Sequence, residues 1–188
     1  GKYSTSAGSS DASGCIDCEA GKYVASEGSD SASDCIACIA GTFSTTVGAS
    51  SVDACQLCGA GKYATAAGSK EEADCIPCAA GKYSTTAGND EETDCARCNA
   101  GKYSSIVGAE NGNVCQDCGA GKYAAGEGNS EEADCIACGA GKYASTAGND
   151  AASDCVECAA GTFSTSVGAV SIDACLRCGA GKYSPTLG

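Results

Sequence analysis

The sequence predicts a small disulfide-rich fold, mostly β and turn, built as an elongated rod of tandem 20-residue units with little regular helix. Three observations predict it: a strictly periodic repeat, 18 cysteines among 188 residues, and a shortage of large apolar side chains. A chain this rich in cysteine is typically a cross-linked scaffold, because covalent links replace the large apolar core that it cannot build.

The repeat is the first element of this prediction. Nine copies of 20 residues, without insertion or deletion, cover residues 1–180, and the start of a tenth covers 181–188. Two cysteines, an Ala-Gly step between repeats and a glycine at position 8 are identical in all nine copies. Positions are counted from 1 to 20 within a repeat. We predict one continuous array over residues 1–188, and we expect it to be a segment of a longer chain.

Each repeat carries local signals for a strand and a turn. Position 3 is always aromatic, and hydroxyl residues often follow it, as in "KYST" at 82–85. Such residues favour a short strand. The glycine at position 8 predicts a turn with positive φ. The residue after the first cysteine is often isoleucine, and we expect it to pack beside the sulfurs.

A single 20-residue unit cannot bury enough surface to fold alone. Domains shorter than about 40 residues usually need disulfides, metals or association. Stacked copies can share a thin core, and stacking in one dimension predicts the rod.

A longer period of 60 residues is superimposed on the 20-residue period. The third, sixth and ninth repeats share "VGA" at positions 7–9 and, like the first repeat, lack the aspartate before the first cysteine. Repeats three and nine are identical at 15 of 20 positions. Duplication of a 60-residue block would explain this. Alternatively, a twist could bring every third repeat onto one face, where Val47, Val107 and Val167 would form a candidate docking stripe.

Charge and hydropathy exclude two classes of partner. The net charge is −13 with a pI near 4.2. Nucleic-acid recognition needs clustered lysine and arginine, so we predict no nucleic-acid partner. No apolar stretch approaches the roughly 18 residues that a membrane helix needs, so we predict no membrane span in this segment.

Three interpretations of the paired cysteines compete. A redox Cys-x-x-Cys needs a lowered thiol pKa, which an acidic surrounding without a helix start does not supply. The C-x2-C-x16-C-x2-C spacing fits a four-cysteine zinc site, but nine pairs leave one pair over. A disulfide ladder in an oxidising compartment is favoured. We therefore predict no metal ligands and no cofactor, with a zinc-binding scaffold kept as an alternative.

Spacing alone leaves the disulfide connectivity open. A bond within one Cys-x-x-Cys would close a small, strained ring and would link nothing to the neighbouring repeat. A bond from the second cysteine of one repeat to the first of the next would enclose strand, turn and loop. Each such loop would contribute about 3 kcal/mol in the chain-entropy estimate.

The motif around Cys18, Gly21, Tyr23, Cys35 and Cys38 resembles the ephrin-receptor-like and TNF-receptor-like cysteine-rich repeats. Such repeats also form long arrays in large extracellular proteins of algae and other protists. The resemblance implies that the cysteine before G-x-Y pairs with the next one along, leaving Cys15 and Cys178 to be bridged outside the segment. The implied pairs are Cys18–Cys35, Cys38–Cys55, Cys58–Cys75, Cys78–Cys95, Cys98–Cys115, Cys118–Cys135, Cys138–Cys155 and Cys158–Cys175.

The remaining polar residues do not indicate an active site. The chain has no histidine, and no nucleophile–base pair can be identified, so we predict no catalytic residue and no enzyme. Acidic clusters such as 71–74 lack an EF-hand spacing and are interpreted as a solvated face rather than a calcium site. Serine and threonine runs are candidate acceptors of O-linked glycans.

These observations predict a structural protein of the extracellular space or cell surface. The specific hypothesis is a glycosylated building block of an extracellular filament, a cell coat, or an appendage such as a flagellar hair. Its partners would be itself or other subunits of that assembly. The main alternative is a receptor or adhesion ectodomain that binds a protein ligand.

Overall fold

The computed structural model describes residues 1–8 and 11–182. Residues 183–188, which belong to the predicted tenth repeat, therefore lie outside the described residues. Every described repeat contains the same three elements. A first strand covers positions 2–3, a 3-10 turn covers positions 12–14, and a second strand covers positions 16–17. The prediction of a small disulfide-rich fold of strands and turns with little regular helix is confirmed.

The bounds of the elements follow the 20-residue period throughout the described residues. The first strands are Lys2–Tyr3, Lys22–Tyr23, Thr42–Phe43, Lys62–Tyr63, Lys82–Tyr83, Lys102–Tyr103, Lys122–Tyr123, Lys142–Tyr143 and Thr162–Phe163. The second strands are Ile16–Asp17, Ile36–Ala37, Gln56–Leu57, Ile76–Pro77, Ala96–Arg97, Gln116–Asp117, Ile136–Ala137, Val156–Glu157 and Leu176–Arg177. The 3-10 turns are Ala12–Gly14, Ala32–Asp34, Val52–Ala54, Glu72–Asp74, Glu92–Asp94, Gly112–Val114, Glu132–Asp134, Ala152–Asp154 and Ile172–Ala174.

The two strands of a repeat form an antiparallel hairpin. Position 2 faces position 17 and position 3 faces position 16, as in Lys62 opposite Pro77 and Tyr63 opposite Ile76. Repeats one to four and six to nine share this register. The strand is shorter than the sequence suggests because the amide of position 4 leaves the hairpin. It donates instead to the carbonyl of position 9 in the next repeat, for example from Val24 to Ala49 at 3.0 Å.

The 3-10 turn before each first cysteine is closed by side chains in two different ways. Where position 14 is aspartate, its carboxylate accepts hydrogen bonds from the amides of positions 10 and 11. In the fourth repeat, Asp74 accepts from Lys70 at 2.6 Å and from Glu71 at 3.1 Å. Repeats two, five, seven and eight have the same arrangement.

The other four repeats close the turn from position 11. The Ser51 hydroxyl accepts from the amide of Asp53 at 3.2 Å and donates to the Asp53 carboxylate at 2.8 Å. Asn111 and Ser171 accept in the same way from position 13, and so does Asp11 in the first repeat. These are the repeats that lack aspartate at position 14. The second repeat has both caps, because Ser31 also accepts from the amide of Ser33 at 3.2 Å, so part of the 60-residue period is the presence or absence of the aspartate cap.

The described residues form two compact units. One comprises Gly1–Cys78, Ser84–Ala96 and Gly108–Glu110, and the other comprises Ala79–Tyr83, Arg97–Val107 and the residues from Asn111 onward. No helix among the described residues is long and apolar enough to cross a bilayer.

The buried interior is thin and consists mainly of sulfur and small side chains. The second cysteine of each of the first eight repeats is at most 1% exposed. The isoleucines after the first cysteine, expected to pack beside the sulfurs, are instead about half exposed: Ile36 is 53% exposed and Ile76 is 46% exposed. They lie on the second strand, where the hairpin leaves the side chain at position 16 open to solvent.

Candidate functional site: the joint between repeats

Eight disulfides connect successive repeats. Each joins the second cysteine of one repeat to the first cysteine of the next, with Cα atoms 5.6–5.8 Å apart and a sequence separation of 17. The bonded pairs are Cys18–Cys35, Cys38–Cys55, Cys58–Cys75, Cys78–Cys95, Cys98–Cys115, Cys118–Cys135, Cys138–Cys155 and Cys158–Cys175. The sulfurs in these bonds are not thiolates, so they cannot act as zinc ligands in this state. Cys15 and Cys178 are free and partly exposed.

The aromatic side chain at position 3 packs on the disulfide that leads to the next repeat. Phe43 clusters with Cys58, Cys75 and the methyl group of Ala64. Tyr103 and Tyr123 pack on the equivalent clusters further along the chain. The joint therefore consists of an aromatic ring, a disulfide and a small side chain, which together exclude water from the sulfurs.

Main-chain hydrogen bonds connect each repeat to the next. The amide of the glycine at position 1 donates to the carbonyl of position 4 in the following repeat, as from Gly41 to Ala64 at 2.7 Å and from Gly121 to Ala144 at 2.8 Å. The aromatic residue at position 3 also forms a parallel bridge with position 9 of the next repeat, as between Phe43 and Ser69.

A second set of bonds skips one repeat, which the sequence did not predict. The amide of the glycine at position 8 donates to the carbonyl of the second cysteine two repeats earlier. Gly88 donates to Cys58 across repeats five and three, and Gly148 donates to Cys118 across repeats eight and six, both at 2.8 Å. A repeat is thus held by its neighbour and by the repeat beyond it.

The glycine at position 8 has the positive φ that the sequence predicts, and the contact gives a further reason for glycine at position 1. Gly41 has φ +78° and Gly88 has φ +80°, both in the left-handed region. A Cβ on Gly41 would overlap the carbonyl oxygen of Gly88, which is main chain and cannot move aside. The same overlap would occur between Gly101 and Gly148. Position 1 is therefore glycine because two backbones two repeats apart touch there.

Position 9 completes the joint and was not singled out from the sequence. Asn89 and Asn149 are 7% and 8% exposed, and their side-chain amides donate to the carbonyls of Lys62 and Lys122 in the preceding repeat at 3.1 and 3.0 Å. Alanine fills this place in the third, sixth and ninth repeats. The signal that could have revealed it is a position restricted to small residues and asparagine in every copy after the first.

The lysine at position 2 forms an ion pair within its own repeat in repeats one, four, six, seven and eight. Its partner is the acid at position 12, as in Lys62–Glu72 at 2.6 Å, or the acid at position 17, as in Lys102–Asp117 at 2.6 Å. Hydrogen bonding and charge attraction from Lys62 hold the pKa of Glu72 below its ordinary value, and Lys122 lowers the pKa of Glu132 in the same way. These groups are exposed, so the pairs shape the surface and contribute little stability.

The remaining residues singled out from the sequence lie on the surface. No group of three or more Cys, Asp or Glu residues in the described part of the chain is arranged to hold a metal ion. Val47, Val107 and Val167 are exposed by 63%, 58% and 67%; the first lies in one compact unit and the others in the second. Position 5 hydroxyls such as Thr45 and Thr85 are exposed, whereas Ser44 at position 4 is completely buried.

Comparison with known proteins agrees with this geometry. A family model described as "Tyrosine-protein kinase ephrin type A/B receptor-like" matches residues 1–55 and 127–175, more than half of the chain. The matched domain is a receptor-like cysteine-rich repeat rather than a catalytic one. A search of curated proteins found no significant match.

Proposed function

The chain belongs to the ephrin-receptor-like family of cysteine-rich repeats, and from that premise we propose that it is a structural component of an extracellular assembly and has no catalytic activity. The specific assembly that we propose is a filament, a cell coat, or an appendage such as a flagellar hair. The disulfides and the family both favour an extracellular or secreted location, where such bonds persist.

The observation that carries this proposal is the uniformity of the joint. A covalent bond, an aromatic cover and main-chain hydrogen bonds recur in the same geometry from repeat to repeat. In a linear array each repeat is stabilised mainly by its neighbours, so a disulfide at every step keeps a local opening from releasing the chain. A protein that carries mechanical tension needs a covalent link at every step, whereas a ligand site needs one at only a few steps.

We extend the proposal to the two free cysteines. Cys15 and Cys178 stand at positions that are bridged in every other repeat, and both are free in this segment. We propose that each pairs with a further repeat of the same kind in the natural protein. Extending the chain by one repeat at either end should therefore add one disulfide and move the alkylatable thiol from Cys15 or Cys178 to the added repeat, which peptide mapping after alkylation would measure.

Glycans are the second extension of the proposal. If serine and threonine carry O-linked sugars, position 5 offers the accessible hydroxyls, because position 4 is buried. Thr86 and Thr146 at position 6 already donate to neighbouring asparagines at 2.7 and 2.8 Å. Site-resolved mass spectrometry of the native material would test this. Sugars confined to position 4 would contradict it.

Electron microscopy of the native material, with antibodies raised against this segment, tests the structural role. We expect label at regular intervals along a filament, coat or appendage. Isolated molecules in solution, or label only on the plasma membrane beside a bound ligand, would contradict the proposal.

A receptor or adhesion ectodomain is the second candidate function, and the match to a receptor-like family model favours it. A receptor would bind one soluble partner with defined stoichiometry, and that partner would be recovered by cross-linking at the cell surface. The zinc-scaffold alternative is not retained, because sixteen of the 18 cysteines are bonded to one another in this structure.

A further inference from the structure

Exposed apolar side chains are not spread evenly among the repeats. Apart from the hairpin positions 3 and 16, the exposed large apolar residues of the described chain lie in the third, sixth and ninth repeats, with Ile39 as the exception. We call them the apolar set; each is between 47% and 67% exposed. Its members are Val47, Val52, Leu57, Ile106, Val107, Val167, Val170 and Ile172.

Two of the repeats that hold the apolar set are also the least charged. Asp53 is the one charged residue within 41–60. Within 161–180 the only charges are those of Asp173 and Arg177, which sum to zero. Residues 121–140, by contrast, contain one lysine and four acidic residues. The three repeats of the apolar set carry net charges of −1, −1 and 0 on a chain of net charge −13, so another acidic chain is repelled only weakly where the most apolar surface is exposed.

We propose that the apolar set provides docking sites for a second copy of this chain, one in each of the third, sixth and ninth repeats. Each contact removes apolar side chains from water at a repeat with a net charge of −1 or 0. A second copy has the same 60-residue spacing of apolar repeats, so several weak contacts can form between one pair of chains. Linked contacts of this kind bind far more tightly than one contact alone. This inference rests on the proposed structural function and names the partner within the assembly.

The charge distribution gives the proposal a distinctive salt response. Most surface ion pairs between different proteins weaken as salt rises, because the charges are screened. Here salt screens the repulsion between two acidic chains while leaving the apolar contact in place. Association between copies should therefore strengthen when sodium chloride is raised from about 0.05 M to about 0.5 M.

Analytical ultracentrifugation of the 188-residue chain tests the proposal. The disulfides are kept intact, and Cys15 and Cys178 are alkylated first so that no covalent dimer can form. The test variant carries Val47→Ser, Val107→Ser and Val167→Ser. The matched control carries Ile36→Ser, Ile76→Ser and Ile136→Ser, which removes apolar side chains of similar exposure from position 16. Circular dichroism and disulfide mapping check that both variants are folded.

We expect the native chain to self-associate reversibly, and the valine variant to raise its dissociation constant at least about tenfold. The isoleucine control should change it by less than about threefold. A native chain that stays monomeric at every salt concentration, or a control that weakens association as much as the valine variant, overturns the inference. If native material contains filaments but the isolated chain is monomeric, the contact between copies is overturned and the structural role is not.

Discussion

The joint between repeats and the turn before each first cysteine differ in how much variation they accept. Both recur every 20 residues, and both depend on hydrogen bonds. The joint keeps its two glycines and two cysteines in all nine copies, whereas the turn uses at least two sets of side chains. The joint therefore accepts one set of residues, whereas the turn accepts several.

The difference follows from what each region brings together. At the joint, two main chains two repeats apart touch at positions 1 and 8, and a Cβ at position 1, as on Gly41, Gly61 or Gly101, would overlap a carbonyl oxygen. In the turn, free amides need an acceptor, and a carboxylate or hydroxyl can reach them from position 14 or from position 11. Steric exclusion permits only glycine at position 1, whereas several kinds of side chain can make the hydrogen bonds of the turn.

Removing one disulfide at the joint should have the largest effect. Cys58→Ser with Cys75→Ser frees a loop that the chain-entropy estimate values at about 3 kcal/mol. Because contacts are local, amide exchange should accelerate mainly in residues 41–75 and less elsewhere. Hydrogen-exchange mass spectrometry measures this. Cys15→Ser with Cys178→Ser is the control and should leave exchange unchanged; equal acceleration everywhere would contradict a local joint.

The glycine contact should rank second. Gly61 and Gly161 both have positive φ, but a Cβ on Gly61 meets the backbone of Gly108 and Ala109, and a Cβ on Gly161 meets nothing within 4 Å. Gly161→Ala should cost about 1 kcal/mol from the left-handed backbone alone. Gly61→Ala should cost a further 1–3 kcal/mol, roughly, because the main chains must separate. Urea denaturation monitored by exchange at each site measures the pair. Equal costs would show that turn geometry, not close approach, fixes position 1.

The sequence predicted the fold class because periodicity and cysteine content are global signals that one chain displays nine times. It predicted less well what depends on three-dimensional neighbours. The glycine at position 8 has the predicted positive φ, but the close contact at position 1 was not predicted, since nothing in one repeat reveals a partner some 47 residues away. Ile36 was expected beside the sulfurs, but the hairpin register places it opposite Tyr23 and open to solvent. The role of position 9 also depends on such a neighbour, because its partner is the aromatic residue at position 3 of the preceding repeat.

Exchanging one turn for the other should have a smaller, reversible effect. Asp74→Ala removes the acceptor of two amides and should cost about 1 kcal/mol. Adding Glu71→Ser and Ala73→Asp rebuilds the turn of the third repeat, where Ser51 and Asp53 perform the same task. The triple variant should recover most of the lost stability in thermal denaturation. If it stays as unstable as Asp74→Ala, the two caps are not interchangeable and the tolerance of the turn has another cause.

The ion pair on the hairpin should have the smallest effect and serves as the lower limit of the comparison. Lys62→Gln removes the partner of Glu72 and should return the pKa of that carboxyl toward its ordinary value, with no measurable change in unfolding. In the native chain the folded pKa is lowered, so the contribution of the pair is present above the unfolded pKa of Glu72. It is lost as the pH falls through the folded pKa.

Carbon-detected NMR titration measures the pKa of Glu72 in the native chain and in the variant. Glu132, paired with Lys122, should keep its lowered pKa in the same variant. A parallel change at Glu132 would mean that the pairs are coupled along the array rather than confined to one repeat.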